Sequence, residues 1–320
     1  MADLDVLSLG MMMAEVAPPR AGTSVAESPD LVLFPSGSAT IFAIALARLG
    51  ARVGTLSRVG DDDLGRWMIA QANAAGIDTS GVAVVAGQMT PLALASVDAQ
   101  GKKQYSFYRF PDTCDPLATL KAREVSDEML GQARVFDVGE ASLRSPELRG
   151  ETLTLMDRAR ALGLEVCYTP NYRASSWKGG ADEAVTVQRC AIGRSDIALM
   201  NAEEARLISG EDDITRAALE LTSLGPQVVA VTDGARTTTL IAHGAVTTLP
   251  VVQSNVLFDI GAGDTFHAGF LAAWTSGWDP VESTQFALHA AALKISRPPD
   301  PSRNPTRAEV LDALAQQARA

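Results

Sequence analysis

Short apolar runs alternate with stretches of helical periodicity from one end of the chain to the other. That rhythm is the pattern of a parallel sheet whose strands are joined by crossover helices. Val6-Leu7-Ser8-Leu9, stopped by Gly10, is the first expected strand. Ser36-Gly37-Ser38 then opens a helix that runs through Leu49 and stops on Gly50. Arg48 is its only charged residue, so this helix is expected to be buried on most faces. A strand from Val53 to Ser57 and a helix from Leu64 to Ala75 follow. Asp61-Asp62-Asp63 suits the start of that helix, where acids favour the dipole, and Gly76 suits its end.

Next come three expected strands, Val82 to Ala86, Leu92 to Val97 and Gln104 to Arg109, the last two joined by the turn Asp98-Ala99-Gln100-Gly101. Adjacent strands break the alternation. With Pro18-Pro19 and the run Leu31-Val32-Leu33-Phe34, they predict a small antiparallel appendage, a lid made of about 13–34 and 89–111. It would be inserted in a single α/β domain spanning residues 1–320. From Pro116 the rhythm resumes with a helix to Gln132, strand Arg134 to Val138, helix Glu147 to Leu162, strand Leu164 to Tyr168, helix Asp182 to Ile192 and strand Ile197 to Met200. Helices near 201–209 and 213–224, strand Val228 to Thr232, a hairpin at Ala242-His243-Gly244-Ala245 and helices from Gly263, Pro280 and Thr306 complete it. The expected fold is a doubly wound, mostly parallel sheet with helices on both faces.

Composition narrows the function classes. With 47% hydrophobic and 20% charged residues in 320, the chain is an ordinary globular one. Its net charge of -11 supplies no basic stripe for nucleic acid. Cys114, Cys167 and Cys190 stand too far apart for a C-x-x-C pair, which points to a reducing, cytoplasmic compartment. Asp3 and Asp5, with no Lys or Arg before Arg20, are wrong for a signal peptide. The most apolar stretch, Ala39 to Ala47, is under half the roughly 20 residues that span a bilayer, so no membrane segment is expected.

The segment with the most chemistry is Asp259-Ile260-Gly261-Ala262-Gly263-Asp264-Thr265-Phe266, which leads directly into a helix. Small residues at a helix N-terminus bare backbone N–H groups, and with the helix dipole these make an anion site that suits a phosphate. Asp264 has two readings there: a helix cap, or a base taking a proton from an attacking hydroxyl beside the phosphoryl group. The run lacks the third glycine of a dinucleotide fingerprint, and G-x-x-x-x-G-K-[ST] occurs nowhere. His243, His267 and His289 fit no metal or triad spacing and are expected to be structural or surface residues.

Gly261-Ala262-Gly263-Asp264 and the helix behind it resemble the second signature of the PfkB/ribokinase family of carbohydrate kinases. Gly37 and Ala43 through Gly50, then Arg58-Val59-Gly60-Asp61-Asp62 and Gly65, resemble its first. Between them Asn201-Ala202-Glu203-Glu204 resembles the family's N-x-x-E motif, and Val231 to Arg236 its nucleotide turn. The resemblance implies ATP as phosphoryl donor, with Thr232 and Gly234 along the nucleotide. It implies Mg²⁺ held by Asn201 and Glu204 through water, Asp264 as general base, and the N–H groups of Gly261, Ala262 and Gly263 on the transferred phosphoryl. It also implies a β lid over the sugar that often makes a homodimer contact.

For the acceptor, Asn171-Tyr172-Arg173 with Trp177 resembles the D-x-N-x-R segment of 2-keto-3-deoxygluconate kinases, and Phe107-Tyr108-Arg109 their lid strand. Arg109 and Arg173 could therefore clamp the carboxylate of an acidic sugar, or else pair with surface acids. Gly37 and Glu15 match positions that meet sugar in this family. Departures cluster here: Ser36 replaces a Gly, Ile41 an Asn, Thr169 the Asp of D-x-N-x-R, and Phe258 an acid linked to a monovalent-cation site, which leaves K⁺ undecided. A nucleoside kinase, or a sugar or nucleotide sensor without catalysis, remains open.

Overall fold

The structure is a computed structural model that describes residues 3–19, 23–97, 103–108, 115–257, 261–298 and 304–317, with the side chains of residues 97, 103 and 104 outside that description. Strands β1 (Leu4–Leu9), β2 (Met13–Ala17) and β3 (Val32–Ser36) lead into α1 (Ser38–Arg48), β4 (Val53–Gly60), α2 (Asp63–Ala74) and β5 (Val82–Val85). The pair β6 (Leu92–Val97) and β7 (Lys103–Tyr108) comes next, then α3 (Asp127–Gly131), β8 (Ala133–Gly139), α4 (Pro146–Ala161), β9 (Glu165–Thr169) and α5 (Gly180–Ile192). The rest is β10 (Ile197–Asn201), α6 (Ala202–Ser209), α7 (Ile214–Thr222), β11 (Val228–Thr232), β12 (Thr237–Ala242), β13 (Ala245–Pro250), α8 (Ala262–Trp274), α9 (Pro280–Ile295) and α10 (Arg307–Gln317).

Nine strands make one sheet in the order β13-β12-β11-β10-β9-β8-β1-β4-β5. From β11 through β5 neighbouring strands are parallel, and β12 and β13 add an antiparallel edge. The chain moves from β1 outward to β4 and β5, then returns to β8 on the other side of β1. That reversal opens a crevice at the C-terminal strand ends, where open α/β sheets bind ligands.

Successive strand residues point to opposite faces. Val135, Cys167 and Leu199 join the core cluster of α1, α8 and α9, whereas Phe136, Tyr168 and Met200 join that of α4, α5 and α6. Both faces are covered, as the near-continuous apolar runs of the central strands require.

Four further strands form a second sheet where the lid is expected, in the order β3-β2-β6-β7. It is mixed rather than antiparallel: β2 pairs antiparallel with β3 and β6 with β7, but β2 and β6 run parallel. Two separate excursions meet side by side, a relation no local turn announces. The expected hairpin turn at 98–101 lies outside the described residues.

The segment after Pro116 also differs from the helix expected there. Two 3₁₀ turns, Pro116–Thr119 and Ala122–Glu124, precede the short α3. The buried positions Leu117, Leu120, Ala122, Val125 and Leu130 share no single face of a 3.6-residue helix, so short turns carry each of them to the core.

The first-signature glycines act through close packing. A Cβ on Gly60 would sit 2.5 Å from the Gln88 carbonyl oxygen, and one on Gly65 2.3 Å from that of Gly60. Asp62 caps α2 by accepting from the Gly65 N–H at 2.7 Å, and it also accepts from the Thr90 N–H at 2.7 Å. The acidic triplet is thus a cap that also ties α2 to the start of the lid's second excursion.

Candidate functional site

Predicted nucleotide residues meet at the C-terminal edge of the sheet. Asn201 and Thr232 are register partners on β10 and β11. Beyond Thr232 the turn tightens through Asp233 N–H to Thr237 O at 2.9 Å, with Gly234 in the left-handed region at φ 56. Asp233 and Arg236 pair across this turn, which leaves Gly234 exposed toward solvent.

Asn201 also begins α6. Its side chain accepts from the Glu204 N–H at 2.9 Å, and Glu204 Oε2 accepts from the Asn201 N–H at 3.0 Å, a reciprocal capping box. Glu204 does more than cap, because its Oε1 accepts from the Tyr172 N–H at 2.8 Å. The carboxylate is buried, which raises its pKa, and the Asp264 charge raises it further while the two backbone bonds and Arg173 oppose. Both oxygens are already taken by backbone donors, so Asn201 and Glu204 fit Mg²⁺ only through its bound waters.

On the other side lies the start of α8. Gly261 is the N-cap at φ 77, in the left-handed region, and the first intrahelical bond is Thr265 N–H to Gly261 O at 2.9 Å. The N–H groups of Ala262, Gly263 and Asp264 therefore have no helical partner and point out of the turn. A Cβ on Gly263 would meet nothing within 4 Å, so the turn opens onto free space.

Asp264 stands in this first turn, half-buried. Burial pushes its pKa up, while a hydrogen bond from Ser38 Oγ and the charges of His267, Arg173 and Lys294 pull it back. That bond crosses from α1, so Asp264 is held by another helix and is not spent on capping its own. Ser38 was not singled out in the sequence, where a serine opening a helix has no distinguishing mark.

The lid reaches the same place through three consecutive residues. Ser36 Oγ donates to Glu15 Oε2 at 2.8 Å, Gly37 turns at φ 90, and Ser38 meets Asp264. A Cβ on Gly37 would lie 2.7 Å from the Met11 carbonyl oxygen, so only glycine fits there. Glu15 has its pKa raised by burial, opposed by the Ser36 bond. Ile41, which stands in place of the family's Asn, sits 3.3 Å from where a Gly261 Cβ would be.

Beyond β9, Asn171 turns at φ 43 and Arg173 is exposed, its Nη1 donating to the Tyr172 carbonyl at 2.9 Å. Trp177 anchors this loop from beneath by donating from Nε1 to the buried Glu140, which also pairs with Arg144. Arg173 is close enough to Asp264 and Glu204 for its charge to lower the pKa of both. Arg109 and Phe258, like Asp259, lie outside the described residues.

His267, expected to be a structural or surface residue, is a structural one whose partners sequence reasoning missed. It is buried one helical turn after Asp264, with Nε2 2.9 Å from Asp137 Oδ1 and its ring stacked 4.1 Å from that of Phe42. Ser8 Oγ donates to the other Asp137 oxygen at 2.8 Å, and Thr169 Oγ1 lies 3.2 Å from His267 Nδ1. The signal was present as alternation: Asp137 and Thr169 follow Val135 and Cys167 by two residues and so face α8.

Comparison with known proteins identifies the family and the fold. Residues 3–307 match the family described as pfkB family carbohydrate kinase. Fructokinase-1 of Zea mays is 31% identical over 325 residues, covering 97% of each chain, and Fructokinase-1 of Oryza sativa subsp. japonica is also 31% identical with 97% coverage of each. Among solved structures, a PfkB protein from Polaromonas sp. JS666 superposes with a TM-score of 0.86 at 26% identity, covering 97% of this chain and 99% of that one. A fructokinase with bound ATP from Xylella fastidiosa gives 0.85 at 21% identity, covering 99% and 100%.

Proposed function

The chain belongs to the pfkB family of carbohydrate kinases, an ATP-binding sugar phosphotransferase with a hydroxyl acceptor, and we propose that Asp264 is the general base that activates this hydroxyl. The observation that carries the reading is the position of Asp264: one residue past the open Gly263, in a turn whose N–H groups have no helical partner. A carboxylate there accepts the sugar proton as oxygen attacks the γ-phosphorus of ATP. The N–H groups of Gly261, Ala262 and Gly263 stabilise the charge on the phosphoryl oxygens, and the positive end of α8 adds to them. Mg²⁺ supplies neutralisation of the phosphate charge, and Asn201 and Glu204 would hold its waters. Thr232 and Gly234 would flank the nucleotide, and lid closure would exclude water.

For the acceptor, relatives called fructokinases over the whole chain favour a ketose. A second reading, an acidic keto-deoxy sugar, rests on Arg173, whose charge acts on Asp264. Asn171, Gly37 and Glu15 would line the acceptor side in either case. The exposed Phe107 and Tyr108 of the lid support a second copy of the chain as its cover. Among the described residues no helix is long and apolar enough to cross a membrane.

ADP release should be measured with MgATP across D-fructose, other ketoses, keto-deoxy acids and nucleosides. Preferred turnover of a ketose supports the first reading, and preference for the acids the second. Turnover of nucleosides alone, or MgATP binding with no turnover at all, refutes both. Dependence on K⁺ is read in the same assay.

A further inference from the structure

We infer that Ser38 is a positioning residue for phosphoryl transfer, one that fixes Oδ1 of Asp264 so that Oδ2 is presented to the acceptor hydroxyl. The inference rests on the reading of Asp264 as base and adds a component to it.

Ser38 is the first residue of α1 and Asp264 the third of α8, so the bond between them joins the starts of two helices that pack against each other. Neither start has a side-chain cap of its own. Among the described residues, Ser38 gives the only hydrogen bond to the Asp264 carboxylate. A lone aspartate in a first helical turn swings about two side-chain torsions, and misplacement by about 1 Å can cost on the order of 10²-fold in rate. One fixed oxygen removes that freedom and leaves the second, which has no hydrogen bond among the described residues, for the acceptor hydroxyl.

The position of Ser38 is itself well determined. Gly37 can hold its φ of 90 against the Met11 carbonyl only because it has no Cβ, and Ser36 on its other side is tied to Glu15. The hydroxyl is therefore delivered by backbone that cannot readily shift. Its bond also favours the ionised carboxylate, opposing the burial that raises the pKa of Asp264. Removing the donor lets that pKa climb, and a base that must be ionised then fails at a higher pH.

The test compares wild type with Ser38→Ala, Ser38→Thr and Asp264→Asn, using pH profiles of kcat/KM, MgATP dissociation constants and thermal melts. The inference predicts that Ser38→Ala lowers kcat tenfold or more, leaves MgATP binding within twofold, and moves the acid limb of the profile to higher pH. Ser38→Thr, which keeps the hydroxyl, restores both rate and limb. A Ser38→Ala enzyme with wild-type kcat, or with a lower kcat and an unmoved acid limb, overturns the inference. An inactive Asp264→Asn enzyme keeps the base reading standing in that event, whereas an active one removes the base reading itself. The melts separate loss of fold from loss of positioning, and the Thr variant decides if the Ala variant is unstable.

Discussion

Glu204 Oε1 accepts a 2.8 Å hydrogen bond from the backbone N–H of Tyr172, which binds the loop after β9 to the start of α6. With Oε2 on the Asn201 N–H, one carboxylate holds the loop after β9 and the turn after β10 in fixed relation. A kinase must bring two substrates into line, and under the proposed reading this buried group would set the distance between their two cradles.

Glu204→Gln tests that role. The amide keeps the volume but has only one acceptor oxygen, so one of the two backbone N–H groups loses its partner. The expected cost is about 1–3 kcal/mol of unfolding free energy, measured by urea denaturation, with KM rising for both the sugar and MgATP. An effect on only one substrate would contradict the coupling.

Arg173 should act on acidity as well as binding. Its charge favours the ionised form of Asp264, whose pKa burial has raised. Arg173→Gln therefore raises that pKa further. Activity needing the carboxylate is lost as pH falls through it, so the acid limb of kcat/KM is expected to move up. The Km for an acidic acceptor should rise more than that for a neutral one, which a parallel titration of both acceptors reads out.

The pair Asp137 and His267 is predicted to support the fold under the catalytic turn. His267→Ala leaves a buried carboxylate oxygen without its neighbour at 2.9 Å. A loss of about 1–3 kcal/mol is expected, seen as a lower denaturation midpoint, together with loss of the Phe42 stack.

These residues also show what could be read beforehand. Glycines and acids at strand ends, at 37, 201–204 and 261–264, were legible because each answers a local backbone demand, a turn or a helix start. Apart from the 3₁₀ turns at Pro116–Thr119 and Ala122–Glu124, the order of strands and helices was legible for the same reason. Ser38, His267 and Asp137 were not, since each matters through a partner more than a hundred residues away that only the folded sheet brings close. The parallel pairing of β2 with β6 is likewise a long-range choice.

Glu309 provides a pH test away from the cleft. Hydrogen bonds from Arg297 and the Thr306 backbone hold its pKa down to about 2. A group depressed in the folded state adds stability above its unfolded pKa, and that contribution fades as pH falls toward the folded value. Glu309→Gln should thus lower the thermal midpoint at neutral pH, and its difference from wild type should shrink from about pH 4.5 downward and vanish near pH 2.

The central claim is that a carboxylate at the open turn of α8 performs the proton transfer of a sugar kinase. It is tested most directly by Asp264→Asn, with kcat measured on the best acceptor and MgATP affinity measured in parallel. The expected result is a fall in kcat on the order of 10²–10⁴-fold with MgATP binding nearly unchanged. Wild-type turnover in that variant would contradict it.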